Sequence, residues 1–182
     1  MSYKPIRVIV TGGTFDKYYD EIRGEMAFKD TNLPEILSLV RVEVPVEIET
    51  NQLIDSLHMQ DVNRSSVAEA CSRSPEELII VTHGTDTMVD TARVIGAAKL
   101  KKTIVLTGAM VPFRVQGSDA LFNFGSAFSA VQILPHGVWI AMSGRIFAWD
   151  AVRKNRERGR FEDKPAGNSG LGALCGYSAI GL

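Results

Sequence analysis

Short runs of apolar and β-branched residues alternate along the chain with segments in which apolar residues recur every three or four positions. The first run, "IRVIVT", ends at Gly12 and Gly13, and three later runs have the same character: "ELIIVT", "KTIVLTG" and "GVWIAMSG". Such runs are typical of strands that are buried on both faces. "VEVPVEIET" is also predicted to be a strand, with an uncertain start because Pro45 cannot donate a ladder hydrogen bond.

Four segments between these runs have the periodicity of helices: "LPEILSLV", "DVNRSSVAEACSR", "MVDTARVIGAA" and "SDALFNFGSAFSAVQIL". The last of them is predicted to turn one apolar face to the core, formed by Leu121, Phe124, Phe128 and Val131. Spacings of three and four residues place side chains on the same side of a helix.

Apolar strands separated by helices predict an α/β protein. We expect a doubly wound, mainly parallel sheet in three layers, with helices on both faces, because parallel strands are covered on both sides. No internal repeat is found. Residues 1–164 are expected to form a single domain, and the Gly-rich residues 165–182 a tail or an arm.

Composition narrows the class of partner and the compartment. The formal net charge of -1 argues against a nucleic-acid or membrane partner. Cys71 and Cys175 are too few for a disulfide framework. The N-terminus runs directly into "IRVIV", too early for a signal sequence, and no apolar run reaches membrane-spanning length. A cytoplasmic protein is therefore expected.

In a parallel sheet the ligand lies beyond the carboxyl ends of the strands. The informative segments are therefore those that follow each strand: "TGGTFDKYYD", "IDSLHM", "THGTDT", "TGAMVP" and "SGRIFAWDAVRKN". Glycines after Thr or Ser allow the backbone to approach a ligand closely.

The sequence argues against a nucleotide cofactor or a metal. A dinucleotide turn needs a third glycine shortly after the first two, but the glycine that follows Gly13 is Gly24. A Walker loop is also absent from the sequence. His58, His83 and His136 lack the spacing of metal ligands. We expect no cofactor and no metal.

Hydroxyl groups are the alternative source of chemistry. Thr14 follows the first strand, and Thr85 lies beside Asp86 after a central strand. A threonine is a poor nucleophile until a base takes its proton, and Lys154 is a candidate for that base. The other interpretation is that "HGTDT" only starts a helix, with Thr85 or Asp86 as the cap, which is the commoner role of such residues.

The motifs "VTGGTFDKYYDE", "IDSLHM", "THGTDTMVDTA", "LTGAMVPF" and "WDAVRKN" together resemble those of the asparaginase family of threonine amidohydrolases. The resemblance extends to about Glu162, and "HGTDTM" followed by "TGAM" is its most specific part. Larger members of the family have two domains, and this chain matches the first. It resembles a short asparaginase whose single catalytic domain is residues 1–164.

The resemblance implies catalytic roles for five residues. Thr14 corresponds to the attacking nucleophile on a mobile lid, and Tyr19 to the lid tyrosine, with the adjacent Tyr18 as the alternative. Thr85 corresponds to the second threonine, and Lys154 and Asp86 complete its hydrogen-bonded set. The first proton acceptor is either the lid tyrosine or the Thr85–Lys154 pair.

The resemblance also implies a substrate pocket. Ser56 is expected to bind the α-carboxylate of the amino acid and Asp86 its α-ammonium, while the backbone of Leu57, Gly84 and Ala109 lines the pocket. The family hydrolyses asparagine to aspartate and ammonia without a cofactor. A preference for glutamine or a larger amide, or a non-catalytic amino-acid sensor on the same fold, are the alternatives.

Two further expectations concern assembly and affinity. In two-domain members, a glutamate from the second domain of a neighbouring protomer helps to hold the ammonium. Without it we expect weak asparagine binding, with KM near or above the upper end of the usual range of about 1 μM to 1 mM. We also expect a homodimer or a higher homo-oligomer.

Overall fold

The computed structural model describes residues 3–165. Expectations for the Gly-rich segment lie, from residue 166 onward, outside the described residues. The strands are β1 (Ile6–Gly12), β2 (Tyr18–Asp20), β3 (Glu25–Ala27), β4 (Val46–Ile54), β5 (Leu78–Thr82), β6 (Thr103–Thr107), β7 (Gly137–Met142), β8 (Arg145–Ala148), β9 (Val152–Asn155) and β10 (Arg160–Asp163). The α-helices are α1 (Leu33–Leu39), α2 (Asp61–Arg73), α3 (Met88–Ala97) and α4 (Ala120–Ile133).

Six strands form one sheet in the order β4–β1–β5–β6–β7–β8. All neighbours in it are parallel except β7 and β8, which pair antiparallel. The register places Val10 beside Thr82, and Thr82 beside Thr107. The carboxyl ends of three central strands therefore lie level, and the loops that follow them meet at one edge.

Each strand divides its side chains between two apolar cores. Ile9, Ile79 and Ile104 pack with the buried faces of α2 and α3. Val8, Ile80 and Val105 pack on the other side, with α1 and α4. Successive strand residues point to opposite faces, so an uninterrupted apolar strand serves both cores. The predicted three-layer α/β architecture is confirmed.

The apolar face predicted for α4 is wrong at Leu121, which is 37% exposed. The helix instead buries Ala120, Ala127 and Ala130 beside Phe124. Small residues let a helix approach a sheet closely. The prediction from periodicity was wrong because it assigned the largest apolar side chains to the core.

The sequence did not predict two short surface hairpins or the strand that ends the sheet. β2 pairs with β3, and β9 pairs with β10, both antiparallel. β8 follows β7 through a turn in which Ser143 and Gly144 have positive φ. These strands have three or four residues each, so they carry little periodic signal. None of the helices in the described part of the chain has the length and apolar character of a membrane span.

Candidate active site

A buried lysine joins two of the predicted catalytic residues. Lys154 Nζ lies 2.7 Å from Thr85 Oγ1 and 2.6 Å from Asp86 Oδ1. The Lys154 side chain is only 8% exposed, and Thr85 is buried. Hydrogen bonds to a charged group are stronger than neutral ones, so this contact fixes both the hydroxyl and the carboxylate.

The position of Lys154 follows from its strand. Val152 and Lys154 lie two apart on β9 and both turn inward, whereas Arg153 between them is exposed and pairs with Glu162 at 2.7 Å. A period of two separates the faces of a strand. The basic segment "RKNRERGR" is therefore mostly a solvated surface, from which one lysine enters the site.

The loop that carries Thr14 packs directly on the loop that carries Thr85. A Cβ added to Gly13 would lie 2.3 Å from the Gly84 nitrogen, and one added to Gly84 would lie 2.5 Å from Ser56 Oγ. Gly13 also has φ of 75°, a region that favours glycine. The backbones of three predicted site segments are thus in van der Waals contact at the carboxyl edge of the sheet.

His83 links the loop that carries Thr85 to α3. Its Nδ1 lies 2.7 Å from the Gly84 carbonyl oxygen and its Nε2 lies 2.8 Å from Thr91 Oγ1 on α3. A neutral ring fits both contacts, with Nδ1–H donating and Nε2 accepting. Complete burial lowers the pKa of His83 from 6.5 to about 4. These contacts give His83 a structural role in holding the loop.

His83 should make stability fall in acid. Because its pKa is lower in the folded chain than in the unfolded chain, its contribution is complete above pH 6.5 and is lost as the pH falls towards 4. The shift corresponds to about 3 kcal/mol. In His83→Gln the difference in unfolding free energy between pH 7.5 and pH 4.5 should change by an amount approaching this value. Denaturant titrations of wild type, His83→Gln and the exposed control His136→Gln measure it, and identical pH dependences in all three would contradict the assignment.

Ser56 lies in a short 3₁₀ turn that is tied down on both sides. The Asp55 carboxylate accepts from the Leu57 amide at 2.9 Å, and Thr87 Oγ1 donates to the Ser56 carbonyl oxygen at 2.8 Å. Burial would raise the pKa of Asp55, but hydrogen bonds from Lys17 and Leu57 outweigh it and lower the pKa. Ser56 is buried. Leu57 is 60% exposed, so only its backbone is placed to line a pocket.

Two supporting residues were not identified from the sequence. The Asp119 carboxylate accepts from the Met110 and Val111 amides at 2.9 Å, and Asn123 Nδ2 donates to the Gly108 carbonyl oxygen at 3.0 Å. Together they hold the loop that contains Ala109, which is 1% exposed. The sequence signal for Asp119 is a carboxylate at the start of the predicted helix "SDALFNFGSAFSAVQIL", and that signal is equally typical of a helix cap.

The two candidates for the lid tyrosine occupy opposite faces of the β2–β3 hairpin. Tyr18 pairs with Ala27 and is partly buried, whereas Tyr19 pairs with Met26 and is 62% exposed. Thr14 lies in the 3₁₀ turn just before this hairpin, and its hydroxyl donates to no partner among residues 3–165. That hydroxyl is therefore available to a ligand.

The structure brings together most of the predicted site. Thr85, Asp86 and Lys154 are in direct contact, and the backbones beside Thr14 and Ser56 meet at Gly84. Tyr19 remains on the hairpin surface. Within the described range, His, Cys, Asp and Glu side chains form no group of three suited to a metal ion.

These features define a class: an α/β protein with two threonines on adjacent loops at the carboxyl edge of a parallel sheet. One of these threonines contacts a lysine that is paired with a carboxylate. The family described as "Asparaginase, N-terminal" matches residues 5–165. The chain belongs to the asparaginase family.

Individual relatives agree with this assignment. The chain is 28% identical over 153 residues to the L-asparaginase of Thermococcus kodakarensis, covering 81% of this chain and 46% of the relative. It is 31% identical over 153 residues to a glutamyl-tRNA(Gln) amidotransferase component of Methanococcus vannielii, covering 79% of this chain and 35% of the relative. The chain thus spans less than half the length of these curated relatives.

Solved structures show the same fold. The thermostable L-asparaginase from Thermococcus kodakarensis superposes with a TM-score of 0.76 at 26% identity, covering 87% of this chain and 51% of that one. L-asparaginase I from Vibrio cholerae O1 biovar eltor superposes with a TM-score of 0.78 at 21% identity, covering 91% and 53%.

Proposed function

We propose that the protein hydrolyses the side-chain amide of L-asparagine to L-aspartate and ammonia, with Thr14 as the nucleophile. The observation that carries this proposal is the contact of buried Lys154 with Thr85 and Asp86 beside the Thr14 loop. Family membership supports it, since relatives with this fold include L-asparaginases.

The reaction proceeds in two steps, the formation of an ester with Thr14 and its hydrolysis. Thr14 Oγ1 bonds to the amide carbon while its proton passes to a base, and the C–N bond then breaks as the amide nitrogen takes a proton and leaves as ammonia. Water next attacks the ester, which releases aspartate and returns the proton to Thr14. We assign the base to the Thr85–Lys154 pair, with Lys154 entering the step as the neutral amine: Thr85 Oγ1 takes the proton of Thr14 while its own proton passes to Lys154 Nζ. Tyr19 is the less suited candidate, because it is 62% exposed.

The same loops offer groups for the amino-acid backbone of the substrate. Asp86 uses Oδ1 for Lys154, while its Oδ2 has no partner among the described residues and can accept from the α-ammonium. Ser56 and the amides near Gly84 supply donors for the α-carboxylate. The Ala109 amide lies just beyond the end of β6, where it can stabilise the oxyanion.

Gly84→Ala should weaken substrate binding. The new Cβ would lie 2.5 Å from Ser56 Oγ and 2.6 Å from Ser56 Cβ, so Ser56 must move. Loss of a hydrogen bond to a charged group costs about 1.5–3 kcal/mol, so KM should rise roughly 10- to 150-fold. Gly125→Ala is the matched control, because its Cβ would meet no atom within 4 Å. Steady-state kinetics on asparagine decide; equal KM values for both variants would argue against Ser56 as a ligand.

A glutamine amide is the second candidate, favoured by the similarity to the glutamyl-tRNA(Gln) amidotransferase component of Methanococcus vannielii. Ammonia release from asparagine and from glutamine, expressed as kcat/KM, tests the proposal. A higher kcat/KM for asparagine supports it, and a preference for glutamine selects the alternative. Binding of either amino acid without turnover would indicate a sensor.

Removal of divalent metals should leave the activity unchanged, because every proposed step uses side-chain and backbone groups of this chain. The check is the rate of ammonia release before and after dialysis against EDTA. Loss of activity that a divalent ion restores would replace the threonine mechanism with a metal-dependent one.

We further propose that the protein acts as a homo-oligomer in the cytoplasm. Phe122 and Ile133 on α4 are 63% and 81% exposed, and such apolar surface is typical of protein contacts. A related structure from Campylobacter jejuni is described as a probable cytoplasmic L-asparaginase.

A further inference from the structure

A buried carboxylate lies two residues after Thr14 and has no place in the chemistry proposed above. Asp16 is 1% exposed. Its Oδ1 accepts from the Asn32 amide at 2.9 Å and from Thr31 Oγ1 at 3.0 Å, whereas its Oδ2 has no hydrogen-bond partner among the described residues. An unpaired buried carboxylate oxygen is costly, so its presence needs an explanation.

The contacts of Asp16 join the Thr14 turn to the start of α1. Asn32 Nδ2 donates to the Phe15 carbonyl oxygen at 3.4 Å, and Arg114 Nε donates to Asn32 Oδ1 at 3.0 Å. Phe15 itself is fully buried. On the other side of Thr14, Gly13 is pressed against Gly84. Thr14 is thus a partly exposed residue between two anchored points.

We propose that Asp16 is a positioning residue that docks the Thr14 turn onto residues 31 and 32 and so holds the Thr14 hydroxyl beside the Thr85 loop. The inference rests on the proposed role of Thr14 as nucleophile. The docking itself is a physical property of the turn and can be measured without any substrate.

The surroundings of Asp16 make this docking respond to pH. A cavity of about 300 Å³ adjoins it, lined by Tyr18 of β2, by Lys29, Asp30, Thr31 and Asn32 ahead of α1, and by Arg114 after β6. Arg114 is also paired with Glu35 of α1. Burial is the largest cause that raises the pKa of Asp16, to about 6; the hydrogen bonds from Asn32 and Thr31 oppose the rise, and Asp30 adds to it.

The sign of the effect follows from linkage. In an undocked turn Asp16 meets water, and its pKa returns towards 3.8, so the docked turn binds the proton more tightly. Docking should therefore tighten as the pH falls from about 7 towards 4, by up to about 100-fold for a shift of about two pKa units. Asp16→Asn resembles the protonated carboxyl and should remove this dependence.

Hydrogen exchange of the amides of Asp16, Lys17 and Asn32, corrected for the intrinsic effect of pH, tests the docking. Asp16→Ala loses the acceptor and should exchange about 10- to 100-fold faster than wild type. Asp16→Asn keeps an acceptor oxygen and should stay protected at every pH. Asp30→Asn is the matched control, because it removes a carboxylate from the same cavity without touching the turn.

Steady-state kinetics of the same variants are the second test. Asp16→Ala should lower kcat about 10-fold or more while KM changes less than about threefold, and Asp16→Asn should restore kcat. If wild type hydrolyses no amide, the proposed function fails, yet the exchange arm still decides the role of Asp16. Unchanged exchange in Asp16→Ala, or an equal effect of Asp30→Asn, would overturn the proposal. If Asp16→Ala does not fold, the test is the pH dependence of amide protection in Asp16→Asn. The same pH dependence in Asp16→Asn as in wild type would overturn the proposal.

Discussion

Replacing Thr14 by alanine is expected to abolish asparagine hydrolysis and leave the fold intact. Thr14 is partly exposed in a short turn, and its hydroxyl has no partner within residues 3–165, so the change removes little packing. Loss of a nucleophile that acts with its base costs up to about 10⁶-fold in kcat in well-studied hydrolases, and we expect at least about 10³-fold here. The measurement is kcat on asparagine, with far-ultraviolet circular dichroism to verify folding.

Thr50→Ala is the matched control, because Thr50 is an exposed threonine on the outer strand β4. It should retain the wild-type kcat. A Thr14→Ala variant with near-normal kcat would exclude Thr14 as the nucleophile. If Thr85→Val were inactive in that case, the nucleophile would have to be assigned to Thr85 instead.

Replacing Lys154 by methionine is expected to slow the chemistry far more than it weakens binding. Methionine keeps much of the length of the lysine side chain but removes the Nζ that contacts Thr85 and Asp86. General acid–base catalysis by a positioned side chain contributes about 10²–10⁴-fold, so kcat should fall within that range. KM should change much less, because Lys154 takes part in the proton transfer and does not contact substrate in the proposed arrangement.

Lys164→Met provides the comparison, since Lys164 Nζ only donates to the Asp150 carbonyl oxygen at an exposed position. Its kinetics should match wild type. A Lys154→Met variant with raised KM and unchanged kcat would place Lys154 in substrate binding and leave the proton transfer to another group.

Much of the fold could be predicted because its signals are local. Continuous apolar strands predicted the parallel sheet, and "DVNRSSVAEACSR" coincides with α2. The β2–β3 and β9–β10 hairpins were missed because strands of three or four residues are too short to show a period. Leu121 was assigned to the wrong side of α4, since the helix packs on the sheet through alanines.

The candidate site could likewise be predicted only in part. Thr14, Ser56 and Thr85 each follow a strand, so the edge of the sheet predicts their proximity. The contact of Lys154 with Thr85 spans 69 residues and depends on which face of β9 turns inward, which "RKNRERGR" does not reveal. Asp16, Asp119 and Asn123 form hydrogen bonds with residues 9 to 20 positions away along the chain, and their sequence neighbours give no sign of those partners.

Asparagine labelled with ¹⁵N in its side-chain amide offers the most direct test of the central claim, that this chain is a threonine amidohydrolase acting on asparagine. In one sample, NMR spectroscopy follows the amide signal, the ammonium signal and the aspartate formed. Wild type should convert amide to ammonium and aspartate in equal amounts, and Thr14→Ala should leave the amide intact. An amide that binds to wild type and persists unchanged, or that is consumed equally fast by Thr14→Ala, would contradict the account.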